Sequence, residues 1–180
     1  VKTYVRELAN EGSRLQALDR ENWQVEATLA QSAAQIAREN TALAVKWQML
    51  TVFAAPFTLS AATQVLDTTP EQAEQDLSYL ENRTLLLHDP QTGRFRLHDL
   101  MLPVARNTFG YSGAEPSEKA EEKRLYEAAL RHSTHFRDVL GIAGALYLQG
   151  GEDTLISLAV FDAESQNIWA GQMWAAKFHL

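Results

Sequence analysis

His98 and Asp99 stand side by side in the run RFRLHDLMLPVAR at 94–106, where a predicted β-hairpin hands over to a helix. An imidazole at such a junction can be aimed at a bound phosphate, and its protonation shifts readily near neutral pH. The bland reading is a structural histidine between two elements. Adjacent side chains do not face each other in a helix or a strand, so proximity in sequence does not make this pair an acid–base dyad. His132 and His135 are a second candidate, three residues apart on one face of a predicted helix, with Asp138 a further turn along. Such spacing can pinch a metal, but a zinc site wants a third ligand and a dry supporting shell. No nearby pattern supplies them, so the pair reads as the polar edge of a packed helix and no metal site is expected. Trp47, Trp169 and Trp174 lie on helical stripes and read as core, with peptide binding by exposed tryptophans as the alternative. No G-x-S-x-G, H-E-x-x-H or G-x-x-x-x-G-K-[ST] occurs, so no catalytic residue is assigned.

Composition narrows the classes. The chain has 180 residues, 46% hydrophobic and 22% charged, with a net charge of -7. That is a globular composition with ample material for a core. The acidic balance repels DNA phosphate and anionic lipid unless a basic patch is concentrated locally, and no dense one is visible. There are no cysteines, which excludes disulfides and thiolate metal sites and is compatible with a reducing cytoplasm. No apolar run approaches the ~18 residues of a membrane span. The opening at Val1, inside a helical pattern, reads as a fragment of a longer protein.

The elements that must position these residues fall into a mainly α pattern. Residues 1–40 read as a helical segment on a stripe of Val5, Leu8, Leu15, Leu18, Val25, Leu29 and Ile36. Residues 41–110 read as a winged helix. A nearly all-round apolar helix from Leu43 through Phe53 ends at Ala55-Pro56. A short extended piece, Phe57–Leu59, leads into a helix capped by Ser60, and Thr69 with Pro70 opens the next. Thr84–His88 and Arg94–Leu97 read as a hairpin, and a closing helix spans about Asp99 to Phe109. Residues 111–117 read as a linker. Residues 118–180 read as helical, the start of a tetratricopeptide-like superhelix. There a first helix carries Leu125, Ala129, Phe136, Leu140 and Leu146, and Gly150-Gly151 breaks it. A second helix carries Leu155, Leu158 and Phe161, and a third carries Ile168, Trp169, Met173, Trp174 and Phe178. Small residues such as Ala128, Ala129 and Ala143 permit close helix approach.

A winged helix raises the question of DNA. The helix that would enter the major groove, PEQAEQDLSYLEN at 70–82, carries Glu71, Glu74, Asp76 and Glu81, with Arg83 positive only at its end. Base readers and phosphate contacts need cations or amides there, so a structural or interaction role is preferred and DNA is not the expected partner.

Four segments in order resemble the NB-ARC family of STAND signalling ATPases, especially bacterial members with tetratricopeptide-type repeats. VEATLAQSAAQI at 25–36 is similar to the segment that closes the helical domain before the winged helix. WQMLTVFAAPFTLSAATQVL at 47–66 and LSYLENRTLLLHDPQTGRFRLHDLMLPVAR at 77–106 look like the winged helix itself. ESQNIWAGQMWA at 164–175 is similar to the "E-x-x-N-I" helix that opens the repeats. In that family the winged helix carries an "MHD" motif, and Leu97-His98-Asp99 occupies its place, with Leu for Met a conservative apolar departure. The resemblance implies that His98 contacts the β-phosphate of ADP in the parent protein and that Asp99 caps the closing helix and supports it. It implies ADP or ATP with Mg as the parent's cofactor, an upstream ATPase domain as partner in cis, and a protein effector on the repeats. Oligomerisation of the activated parent is compatible with it. The chain itself is then a regulatory piece of a signal-transduction switch and not an enzyme. The alternatives are a winged-helix transcriptional regulator that binds DNA, or a protein–protein scaffold.

A single histidine cannot hold a nucleotide without the loop that cradles phosphates. The 180-residue chain is therefore expected to show no ATP binding and no ATPase activity. Titration calorimetry checks this, and a millimolar or tighter dissociation constant would overturn it.

Overall fold

The computed structural model describes residue 31 and residues 34–97 and 120–178. The stripe at 5–29, His98, Asp99, the closing helix to Phe109 and the linker at 111–117 lie outside the described residues. What is described is mainly helical, with one small antiparallel sheet and a C-terminal helical hairpin. Among the described residues, no helix is long and apolar enough to cross a membrane.

Helical residues 34–39 lead into α1, Thr41–Met49, capped by Asn40, whose side chain accepts from the Leu43 N–H at 3.0 Å. Lys46 on α1 pairs with Asp76 further along the chain. The expected helix to Ala55 stops early. The chain passes through a 3-10 turn at Leu50–Val52, and Phe53 is already extended. Proline alone would constrain only Ala55. The earlier exit puts the Phe53 ring on Phe57, stacked at 4.0 Å between centroids, and turns the next two N–H groups toward another helix.

Phe57 forms an isolated antiparallel bridge with Phe95, exchanging two backbone hydrogen bonds of 2.8 Å. That anchor leaves Thr58 extended, so Thr58 and not Ser60 caps α2, Leu59–Leu66, accepting from the Ala61 N–H at 3.2 Å. Asp67, with φ 52, ends α2, and the Thr68 N–H returns to the Thr63 carbonyl. After a short turn, Thr69 caps α3, Pro70–Asn82, as its position before Pro70 suggests. Leu77 and Leu80 are buried on α3.

The sheet pairs β1, Leu86–Asp89, with β2, Arg94–Leu97, in the register Leu86↔Leu97 and His88↔Phe95. Strand β1 begins later than the expected Thr84. Thr84 ends the preceding helix in the left-handed region, φ 60, so that the Leu85 N–H can reach the Leu80 carbonyl at 3.0 Å. In the connection, the Asp89 carboxylate accepts from the Gln91 N–H and the Thr92 hydroxyl, and Gly93 supplies the positive φ of 65 needed to re-enter the sheet.

The C-terminal hairpin pairs α4, Ala120–Gln149, with α5, Glu152–Lys177. Gly150 and Gly151, both at positive φ, make the break between them as expected. The two helices expected after that break are one. The polar stretch DAESQN at 162–167 contains neither Gly nor Pro, and its polar groups meet the rest of the protein instead of ending the helix. The core face of α5 also differs from expectation. Leu155 and Leu158 are exposed, whereas Ser157 is buried and donates to the Ala143 carbonyl at 2.7 Å. Ser133 likewise donates to the Gly171 carbonyl at 3.0 Å. A Cβ on Gly171 would come within 3.1 Å of the Ser133 Cα, so the two backbones meet at closest range there.

One hydrophobic cluster joins the parts. Trp47, Leu50, Phe57, Leu77, Leu80 and Leu86 continue into Leu125, Phe136 and Ile168 without interruption. The hairpin therefore shares its core with the central module at 41–97.

Thr84 is a β-branched residue held in the left-handed region, which costs an L-residue roughly 1–2 kcal/mol. Glycine removes that strain but loses more freedom on folding, roughly 0.5–1 kcal/mol. Thr84→Gly is expected to stabilise the chain by about 0.5–1 kcal/mol, read as an increase in the urea midpoint at unchanged slope. A lower midpoint would show that no strain resides there.

Candidate functional site

The strand that leads to the His98-Asp99 pair is well anchored. Leu97, the last residue of β2, is 7% exposed, pairs with Leu86 and belongs to the common core. The apolar first position of the LHD triplet is thus a packing anchor. His98 and Asp99 follow immediately and lie outside the described residues.

The second histidine pair takes a different place from the polar edge expected of it. His132 is 3% exposed and sits among aromatic rings, with the Phe53 centroid at 5.2 Å and the Phe136 centroid at 4.7 Å. The face of α4 that carries it turns inward because Leu125, Ala128 and Phe136 share it and are buried too. Burial pushes the His132 pKa down to about 4, and the neighbouring Asn167 side chain only partly opposes this. Among the described residues its Nε2 has no hydrogen-bond partner. Burial also lowers the pKa of the half-buried His135, against the opposing charges of Glu164 and Asp138. Among the described residues, no group of three or more His, Asp or Glu is placed to hold a metal ion.

The tryptophans divide. Trp47 is buried as expected. Trp169 is exposed, because α5 turns its Asn167–Ile168 edge inward and leaves the next residue outside. Trp174 is half-buried against Tyr126 and Phe178, with ring centroids at 5.2 and 4.8 Å.

What sequence reasoning missed is the seam between the central module and α5. Asn167 is 0% exposed, and its side-chain oxygen accepts from the Ala54 N–H at 3.0 Å and the Ala55 N–H at 3.1 Å. Its amide donates to the Pro56 carbonyl at 3.4 Å. One turn earlier on α5, Glu164 pairs with Arg94 of β2, and Arg94 also donates to the Pro56 carbonyl at 2.7 Å. Ile168 enters the shared core beside them. On the other helix, the Arg131 guanidinium donates to the Val65 carbonyl near the end of α2 at 2.9 Å. Beside the seam lies a cleft of about 380 Å³, whose lining includes Phe53, Pro56, Arg96, Leu97 and Gln166. The signal was present in the ESQNIW segment, where two polar residues three apart interrupt an apolar face. Their partners, in the turn at 54–56 and in the wing strand, are remote in sequence and could not be read from spacing.

No family model matches the chain, and no curated protein and no solved structure matches it either.

The neutral burial of His132 makes a pH dependence. Its folded pKa lies below the ordinary 6.5, so the unfolded chain binds the extra proton. The stability is complete above pH 6.5, falls as pH drops from 6.5 toward 4, and levels off below that. The full difference is up to about 3 kcal/mol. His135 acts in the same direction, whereas the lowered carboxylates Glu39, Glu71 and Asp89 act below pH 4.5. Urea midpoints should decline between pH 6.5 and 4.5, and His132→Leu should remove most of that decline. An unchanged slope in the variant would mean that His132 is not the group that titrates.

Proposed function

We propose that residues 41–97 are the body of a winged helix and that the chain is the regulatory part of a nucleotide-switched signalling ATPase of the NB-ARC kind. The observation that carries this reading is the Phe57–Phe95 bridge. It attaches the extended piece between the first two helices to the hairpin, which is the element order of a winged helix with its wing. Leu97, buried at the end of the strand that carries Phe95, precedes His98 and Asp99 in sequence, which supports the reading.

On this reading His98 contacts the β-phosphate of ADP bound by an ATPase domain of the longer protein, with Mg accompanying the nucleotide. Asp99 supports it from the start of the closing helix. ADP holds the winged helix against the ATPase domain, and exchange for ATP releases it. A ligand shifts a conformational equilibrium only through contacts that differ between the states, and a histidine on the moving domain supplies such a contact. The hairpin α4–α5 is the first pair of a tetratricopeptide-like array whose later repeats bind a protein effector.

The DNA-binding alternative is disfavoured by the surface of α3. Glu71, Glu74 and Glu81 are exposed along it, and Arg83 at its end is engaged by Glu39 and the Tyr79 hydroxyl. Each exposed carboxylate there opposes a phosphate.

The protein carrying the ATPase domain is expected to purify with bound ADP, and its His98→Ala variant to lose most of it. Nucleotide content after denaturation, resolved by chromatography, measures this. Equal retention by both proteins would remove His98 from the role, and nucleotide in neither would remove the switch.

A further inference from the structure

We infer that Asn167, Glu164 and Arg94 form a directional latch that makes the α4–α5 hairpin and the central module a single mechanical body. The inference rests on the seam alone and stands apart from whether any nucleotide is bound.

Two kinds of contact join the parts, and they do different work. Leu125, Ala128, Phe136 and Ile168 bury apolar surface against the central module, which holds the hairpin on but is non-directional. Apolar faces can slide or rock and still remain buried. Hydrogen bonds weaken steeply when misaligned, so they select an angle. Asn167 receives two successive main-chain N–H groups on one oxygen, which fixes α5 against the turn at 54–56. Arg94 grips Glu164 and the Pro56 carbonyl together, which ties α5 and that same turn to the wing strand β2. Arg131 adds an attachment from α4 to the end of α2. Contacts on both helices, made to separate parts of the central module, leave no axis about which the hairpin can turn freely.

The early exit of the chain from α1 has its counterpart here. Ala54 and Ala55 would find no acceptors of their own outside a helix, and Asn167 supplies one to both. A displacement of the wing is therefore carried directly into α5, without passing through the segment that joins the two parts in sequence.

The test uses the 180-residue chain, which has no native cysteine. Spin labels on Ser78→Cys and Gln149→Cys, both exposed positions, report the distance between α3 and the far end of α4. The labelled chain should give one narrow distance distribution. Asn167→Leu should broaden it at least twofold. The same variant should speed amide exchange at Ala54 and Ala55 at least tenfold, while the middles of α4 and α5 keep their protection. Arg94→Ala, which removes both of that side chain's attachments at the wing surface, should broaden the distribution in the same way, and decides alone if Asn167→Leu does not fold. Distributions as narrow as the parent's in the folded variants would overturn the latch. So would exchange that quickens equally throughout α4 and α5, which would mark Asn167 as a general stability residue.

Discussion

The side-chain oxygen of Asn167, buried and accepting two consecutive N–H groups from the turn at 54–56, is the contact on which the arrangement of this protein depends. A helix that ends inside a protein must dispose of its backbone groups, and the usual solution is a local cap. Here the solution comes from 112 residues away in sequence. The exit of the chain from α1, the path of Phe53 and Phe57, and the seating of α5 are therefore one structural problem with one answer. A side chain that merely filled space at 167 would leave the turn without its acceptor.

Around that contact the chemistry is consistently apolar. Phe53 stacks on Phe57 and meets Phe136 edge-on at 6.2 Å, and His132 lies among them as a neutral ring. Such a setting gives polar contacts more weight, because water does not compete for them. It also explains why the His132 imidazole is kept unprotonated. The hairpin obeys a different rule. Its helices approach where Gly171 meets Ser133 and where Ser157 meets Ala143, with the serine hydroxyls donating to backbone carbonyls, and several of its larger apolar residues are left outward. Leu148, Leu155, Ile156 and Met173 are exposed along it.

Much of the central module was legible because its signals are local. Thr69 before Pro70 and the proline- and glycine-bearing turn Asp89–Gly93 each act within a few residues, and those elements appear where the residues place them. The errors have a common source. α1 ends six residues before Ala55, and the cap of α2 and the start of β1 each lie two residues from the expected position; in each case the winning term is a contact remote in sequence or a bond closing the preceding element. The reading of His132 as a polar edge failed for a related reason. A helix whose second face is also buried shows no clean amphipathic stripe, so periodicity cannot say which side its histidine takes. Leu97, which precedes His98 and Asp99, is an anchor in the core.

The amino-acid sequence by itself determined the mainly helical class, the β-hairpin with its left-handed Gly93 and the double-glycine break between the last two helices. Those follow from backbone sterics and hydrophobic period, which act over a few residues. Only the tertiary structure decided that the stretch 162–167 continues a helix, that Asn167 faces the turn at 54–56, that Glu164 meets Arg94, and that Ser157 lies inside while Leu155 lies outside. Polar residues carry no label for whether they face water or a partner. That choice is made when a distant backbone group presents an unmet hydrogen bond, and the free energy of meeting it exists only in the folded chain.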